Sequence, residues 1–77
     1  MPTVLRKEGF SFIIHADDHE PSHVHVRYQG TEVVLVLDDE IRVRVNYRMT
    51  DVRSRRAISI AKDNIDLLLK EWIRIHG

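Results

Sequence analysis

Alternating apolar and polar residues dominate the chain up to residue 48 and predict β-strands. The clearest alternation lies in residues 23–28, where Val24, Val26 and Tyr28 occupy one face and His23, His25 and Arg27 the other. Similar alternation or short apolar runs predict further strands at residues 3–6, 10–15, 32–37 and 41–48. Turn-forming residues separate these segments, including Glu8-Gly9, Pro21 and Gln29-Gly30. The first part of the chain is therefore predicted to form four or five strands.

From Thr50 onward the apolar period changes to that of an α-helix. The residues that recur at three- and four-residue steps are Ile58, Ala61, Ile65, Leu68, Trp72 and Ile75. Thr50 is a suitable N-cap. We predict a single α+β domain over residues 1–77, with an antiparallel sheet of four to five strands in residues 1–48. One long C-terminal helix, residues 50–76, is predicted to pack on one face of that sheet.

The strand alternation also predicts which side chains share the face turned away from the helix, called here the outer face. If residues 10–15 and 23–28 pair as a hairpin, the outer face carries Ser11, Ile13, His15, His23, His25 and Arg27. The same parity in the last strand predicts Arg42 and Arg44 on the outer face and Tyr47 on the core side. The outer face is then an open surface with three imidazoles and up to three guanidiniums.

Composition restricts the classes of protein that need consideration. The chain has no cysteine, which excludes disulfides and cysteine-based zinc sites. No apolar run approaches the ~20 residues that cross a bilayer, and the first residues lack the apolar core of a signal peptide. We expect a soluble cytoplasmic protein that does not associate with membranes. Formal net charge is zero, which argues against coating of nucleic acid by charge alone.

The charges are nevertheless segregated along the chain. Residues 17–40 contain seven acids and one arginine, whereas residues 41–56 contain six arginines and one acid. The six arginines are candidates for binding nucleic acid or an acidic partner: Arg42, Arg44, Arg48, Arg53, Arg55 and Arg56. At the position of Arg53, a helix N-terminus with a capping box would have Glu or Gln, and this chain has the opposite charge there. Exposed arginines are also ordinary surface residues, and that interpretation stays open.

The segment HADDHEPSHVHVRY concentrates four of the five histidines in residues 15–28. A divalent transition metal such as zinc is one candidate ligand, because His23 and His25 point to one side of a strand. His15, or a loop carboxylate such as Asp18, would complete that site, although the neighbouring arginines would repel a cation.

A ribonuclease without metal or other cofactor is the second candidate. His23 and His25 would act as acid and base, Arg27 would stabilise the phosphate, and His15 or Asp18 would orient an imidazole. Binding of RNA without chemistry is the third candidate, although the predicted outer face lacks an aromatic side chain for stacking. Histidine, serine and arginine are also common on the solvated face of any half-buried sheet.

The opening MPTVLRKEGFSFII, the segment DDHEPSHVHVR and the ending LLKEWIRIHG resemble the small prokaryotic family catalogued as domain of unknown function 4160. Its motif is matched by Asp18, His19, Pro21, His23 and His25, and Trp72 and His76-Gly77 agree as well. Ser22 departs from the family, which more often has a second proline there. Genes of this family often neighbour one for another small domain, number 2442 in the same catalogue, as toxin–antitoxin pairs do.

The resemblance implies an intracellular protein with a small cognate protein partner, acting on RNA or regulating its own operon. Our leading expectation is a toxin–antitoxin-like or regulatory module that binds nucleic acid or such a partner, with the ribonuclease as its enzymatic version. The alternatives are a non-catalytic homodimer, formed through surplus apolar helix surface at Ile60, Leu67 and Ile73, and a His-ligated metal protein.

Overall fold

The computed structural model describes residues 2–77, which form one five-stranded antiparallel sheet and two helices. The strands lie side by side in chain order: β1 Thr3–Lys7, β2 Phe10–Ile13, β3 His23–Tyr28, β4 Thr31–Val36 and β5 Arg42–Tyr47. The helices α1 Asp51–Asp63 and α2 Ile65–His76 follow. The predicted α+β class and the five antiparallel strands are confirmed.

Two tight turns set the pairing of β1 with β2 and of β3 with β4. Glu8 and Gly9 join β1 to β2 with φ of 54° and 84°, and Gln29 and Gly30 join β3 to β4 with φ of 44° and 79°. Positive φ at both central residues is the two-residue turn whose twist matches that of the strands. In the β2–β3 pair Ser11 lies opposite Arg27 and Ile13 opposite His25. The predicted hairpin and its shared faces are therefore present.

The core lies between the inner face of the sheet and the two helices. Alternate strand residues and one stripe of each helix fill it: Phe10, Phe12, Ile14, Val24, Val26, Val33, Leu35, Leu37, Met49, Ala57, Ile60, Ala61, Leu68 and Trp72. Thr50 caps α1, since its hydroxyl accepts a hydrogen bond from the Arg53 backbone N–H at 3.2 Å. None of the helices in residues 2–77 has the length and apolar character needed to cross a membrane.

The prediction of one long C-terminal helix is wrong, because the helix is interrupted at Asn64. The Asn64 side chain donates to the Ile60 carbonyl at 2.8 Å, while its backbone N–H bonds to Ala61 instead. The side chain thus takes the acceptor that the backbone N–H of Asn64 would use in a continuous helix. The Leu68 N–H bonds to the Asn64 carbonyl, so α2 starts at once.

The predicted facing of β5 is also wrong in its second half. A register shift in the β4–β5 pair places Val45 opposite Val34 and Val43 opposite Leu35, so Arg44 is an extra residue. Such a bulge reverses the parity of the residues that follow. Val45 therefore shares the outer face with Val34, and Tyr47, two residues further, lies on that face and is 57% exposed.

The predicted open character of the outer face fails around the histidines. His23 is only 6% exposed, and Ile13, Val34 and Val36 on the same face are buried. On the helices, Ile60 belongs to the core and not to a surplus apolar surface. Leu67 and Ile73 are exposed, as expected for that surface.

Candidate functional site

The loop between β2 and β3 folds back over the strand histidines. Its turn is closed by Asp18, whose Oδ2 accepts the His15 backbone N–H at 3.0 Å. The carboxylate then faces both imidazoles of β3: Oδ1 lies 3.4 Å from Nε2 of His23, and Oδ2 lies 3.5 Å from Nε2 of His25. We call Asp18, His23 and His25 the Asp-His-His cluster.

Each imidazole of the cluster is fixed by a hydrogen bond at its other nitrogen. Nδ1 of His23 lies 2.8 Å from the Pro21 carbonyl oxygen, and Nδ1 of His25 lies 3.0 Å from Oε2 of Glu32. Both partners only accept, so both Nδ1 atoms carry the proton. In the neutral tautomer each Nε2 then presents its lone pair to Asp18. Nε2 of His25 is buried and has no hydrogen-bond partner in residues 2–77.

The carboxylates of the site are held in their charged form. Burial raises the pKa of Asp18, but the His15 backbone N–H and the nearby histidines lower it more, so the pKa lies below its ordinary value. Burial likewise raises the pKa of Glu32, and hydrogen bonds from His25 and Arg27 bring it below the usual range. The cluster therefore combines one anionic carboxylate with two imidazoles aimed at it.

The geometry of the cluster fits a small metal cation. The three ligand atoms, one from each residue, lie within 4.8 Å of one another. Around a tetrahedral zinc with bonds of about 2.0–2.1 Å, two ligand atoms are about 3.3 Å apart. Each oxygen of Asp18 is close to that spacing from one imidazole: Oδ1 lies 3.4 Å from His23 and Oδ2 lies 3.5 Å from His25. Two histidines and one carboxylate are also a ligand set that iron and zinc use in proteins.

His15 was predicted as an alternative third ligand, and Asp18 occupies that position instead. The His15 ring packs edge-on against His25, with ring centroids 4.6 Å apart. Its backbone carbonyl oxygen accepts a hydrogen bond from Nε2 of His76, and its backbone N–H donates one to Asp18. His15 therefore acts on the cluster through packing and loop shape.

Arg27 reaches the cluster through a shared carboxylate. Its Nε donates to Oε1 of Glu32 at 2.9 Å, while the other oxygen of Glu32 accepts from His25. The five predicted catalytic residues thus lie together on the outer face, and Glu32, which sequence reasoning missed, connects two of them. Its position directly opposite Arg27 in the β3–β4 hairpin is the signal that would have identified it.

The end of α2 forms one wall of the site, which sequence reasoning also missed. Trp72 Nε1 donates to Oε1 of Glu20 in the loop at 3.1 Å, and the Trp72 ring lies 5.2 Å from the ring of His23. His76 stacks on Trp72 at 3.8 Å, and its Nε2 lies 3.1 Å from the His15 carbonyl oxygen. The helix end therefore anchors the loop that carries Asp18.

A groove of about 420 Å³ opens beside the cluster. Asp18 lines both the groove and the cluster. The other groove residues are His19, Glu20, Trp72, Ile73, His76 and Gly77. His19 thus faces the groove and is not part of the Asp-His-His cluster.

The six predicted binding arginines are not brought together. Arg53, Arg55 and Arg56 belong to α1; Arg53 lies over the ring of Tyr28 at 4.1 Å, and Arg56 pairs with Glu8 through two hydrogen bonds.

The other three arginines lie on β5, the edge strand of the sheet, or directly after it. Arg42 is 3.4 Å from Asp38. Within the described chain, residues 2–77, neither Arg44 nor Arg48 forms an ion pair, and Arg55 on α1 forms none either.

The chain belongs to the family described as domain of unknown function (DUF4160), whose model matches residues 9–73. The match includes every residue of the Asp-His-His cluster, together with Glu20, Glu32 and Trp72. No curated protein and no solved structure matches the chain.

Proposed function

We propose that this DUF4160 protein binds one divalent transition-metal ion through Asp18, His23 and His25. The observation that carries the proposal is the convergence of two Nε2 atoms, both with the opposite ring nitrogen already engaged, on one carboxylate. In metal sites a ligating histidine nearly always donates its other N–H to a carboxylate or a backbone carbonyl, and both kinds of partner occur here.

Electrostatics also support a cation at this position. Two imidazole lone pairs facing a carboxylate repel it unless protons or a metal ion lie between them. The Arg27 guanidinium, which would oppose a nearby cation, is neutralised by Glu32 at 2.9 Å. Three protein ligands leave a further coordination position for water or substrate, as in catalytic zinc sites.

The ribonuclease expectation has less support from the same geometry. Acid–base cleavage without metal needs a phosphate between the two imidazoles. The Asp18 carboxylate lies at that place, 3.4 Å from His23 and 3.5 Å from His25, and its negative charge would repel a phosphate. The toxin–antitoxin-like role, the cognate protein partner and the homodimer stay predictions that growth assays, co-purification and light scattering would test.

Metal titration of chelator-treated protein without a histidine tag tests the proposal. We expect calorimetry to give one zinc ion per chain, and cobalt to give the visible absorption of a low-symmetry nitrogen- and oxygen-ligated site. Replacing His25 with alanine should abolish binding. The matched control is His19→Ala, which removes a neighbouring loop imidazole that lies outside the cluster. Binding should also weaken as pH falls, because the ligating imidazoles must be unprotonated.

Two results would count against the proposal. One is wild-type protein that binds zinc, cobalt, nickel, iron and manganese no better than about 1 mM, since dedicated sites bind far more tightly. The other is a His25→Ala variant that binds as well as the His19→Ala control.

A further inference from the structure

A second surface lies on the outer face, at the end of β5 that is remote from the acidic β4–β5 turn. An open depression of about 530 Å³ is lined there by Arg27, Gly30, Thr31, Glu32 and Tyr47. We call this depression, together with Arg44 on the same strand and Arg48 directly after Tyr47, the Tyr47 surface. Depressions of this volume fall in the size range of small-molecule and nucleobase-sized sites.

The aromatic ring is present on this surface because of the bulge at Arg44. Without the extra residue, Tyr47 would turn to the core side of the sheet, as the strand alternation predicts. Instead the ring lies on the outer face and is 57% exposed. A single exposed aromatic ring is common on protein surfaces, and here it gives the depression a flat face on which a ligand could stack.

The segment of the chain that carries Tyr47 is positively charged. Arg44 and Arg48 are exposed and form no ion pair with any residue in the described part of the chain, positions 2–77. Glu32, the acid in the depression, is engaged by both Arg27 and His25. The surface therefore offers cationic groups without a competing free carboxylate.

The backbone at Arg48 is held in an unusual conformation. Its φ is 69°, in the left-handed region that favours glycine. A non-glycine residue there costs of the order of 1 kcal/mol or more. The turn is held by the Asn46 side chain, which bonds to the backbone N–H and carbonyl of Met49.

We propose that the Tyr47 surface binds single-stranded nucleic acid, with a base stacked on Tyr47 and backbone phosphates at Arg44 and Arg48. Flat aromatic rings and arginines on a sheet face are the two elements that recognise single strands without reading their sequence. An acidic peptide would use the arginines but not the flat ring. A second copy of the chain paired along β5 would set arginine against arginine, which is unfavourable.

The surface and the Asp-His-His cluster lie on the same side of the sheet. His25 is opposite Val34, which is opposite Val45, and Tyr47 follows two residues along β5. From a strand spacing of about 4.8 Å and a rise of about 3.3 Å per residue, the Cα atoms of His25 and Tyr47 are roughly 12 Å apart. A strand bound at Tyr47 therefore passes near the cluster, but its binding does not depend on metal.

Fluorescence anisotropy with metal-free protein tests the proposal. The probes are labelled RNA and DNA single strands of about 12 nucleotides, and the RNA duplex of the same sequence, at about 50 mM salt. We expect both single strands to bind more tightly than the duplex. Tighter binding of RNA would identify the 2′-hydroxyl as a further contact, and equal binding would identify stacking and phosphate contact alone.

Matched variants separate the two contributions. Tyr47→Ala should weaken binding roughly 5- to 150-fold, the loss of one stacking ring, and Tyr47→Phe should restore most of it. Arg44→Glu should weaken binding and lower the salt dependence. Arg55→Glu, at an exposed arginine of α1 that also forms no ion pair within residues 2–77, is the charge control. It should leave the affinity unchanged. Thermal melting confirms that each variant is folded.

Three outcomes would overturn the proposal: no binding of either single strand by the wild-type protein, equal affinity of Tyr47→Ala and wild type, or equal loss in Arg44→Glu and Arg55→Glu. Displacement of the RNA by polyglutamate at equal charge concentration would instead identify the surface as a site for acidic proteins. Because the protein in these experiments is metal-free, their outcome does not depend on whether the Asp-His-His cluster binds a metal ion.

Discussion

Glu32 offers the sharpest test of how the fold tunes the proposed metal site. Its two oxygens divide their roles: Oε2 accepts from Nδ1 of His25 at 3.0 Å, and Oε1 accepts from Nε of Arg27 at 2.9 Å. In Glu32→Gln the side chain keeps its shape but has a single acceptor oxygen, so it can serve only one of these two donors. The imidazole of His25 also loses the carboxylate that orients its ring toward a bound metal ion.

The expected loss of metal affinity is 10- to 100-fold, the usual effect of removing an outer carboxylate from a ligating histidine. This corresponds to about 1.4–2.8 kcal/mol. An independent route gives a similar magnitude, because a hydrogen bond to a charged group contributes about 1.5–3 kcal/mol. The side chains of Glu32 and His25 are 22% and 18% exposed, so solvent screening favours the lower half of the range.

Competition with a chromophoric chelator at neutral pH measures the affinity directly. Glu20→Gln is the matched control, since Glu20 lies beside the cluster but accepts from Trp72 at 3.1 Å and not from an imidazole. It should change the affinity by clearly less than the roughly 10-fold lower limit of outer-shell effects. The reasoning is refuted if folded Glu32→Gln binds zinc like the wild type, or if both glutamine variants lose affinity equally.

Three further predictions concern the fold. Gly9→Ala should lower stability by about 1–3 kcal/mol in urea denaturation, because φ is 84° and the new Cβ would lie 3.1 Å from the Tyr28 ring; unchanged stability would contradict the described turn. Leu68→Ala, at a fully buried position, should cost about 2–5 kcal/mol by the same measurement, and a loss below about 1 kcal/mol would contradict its place in the core. The Arg56 guanidinium lowers the pKa of Glu8, so this pair stabilises the fold above pH 4.5, the ordinary value for Glu, and the contribution disappears as pH falls through the lowered value. The melting-temperature difference between wild type and Arg56→Ala should accordingly shrink on acidification, and a difference that grows would contradict the pairing.

The alternation of side chains predicted β2, β3 and β4 well because these strands pair without a register shift. Glu8-Gly9 and Gln29-Gly30 are two-residue turns, so the parity of one strand carries into the next. At β5 a bulge breaks that rule, and Tyr47 changes face. The sequence RVRVNY alternates without interruption, and nothing in it marks Arg44 as the extra residue, since the bulge depends on pairing with β4.

The helix interruption at Asn64 has a local cause that periodicity does not report. Apolar residues continue at helical spacing through this position, from Ala61 to Leu68. The Asn64 amide nevertheless competes for the Ile60 carbonyl, as short polar side chains do. An asparagine within a predicted helix is therefore a weak sign of a break, and only the hydrogen-bond partners decide between a break and a continuous helix.

The histidines were predicted to share a face, and the strands alone establish that much. The sequence does not show that the loop between β2 and β3 folds back over the imidazoles, because this depends on contacts between residues far apart in the chain. Asp18 reaches the imidazoles because two hydrogen bonds attach the loop to α2. One joins Glu20 to Trp72, 52 positions apart, and the other joins His15 to His76, 61 positions apart.

Because the loop is attached to α2, the stability of the domain and the geometry of the site depend on the same residue, Trp72. Trp72 packs in the core and also contacts the loop and the ring of His23. A 77-residue domain has little apolar surface to spare, yet it uses its single tryptophan to support a loop that carries a half-buried carboxylate. An Asp18 placed by a loose loop would face solvent and leave the imidazoles of β3 unopposed. The position of Trp72 at the boundary between core and loop therefore explains how so small a domain holds a carboxylate against one buried and one half-buried histidine.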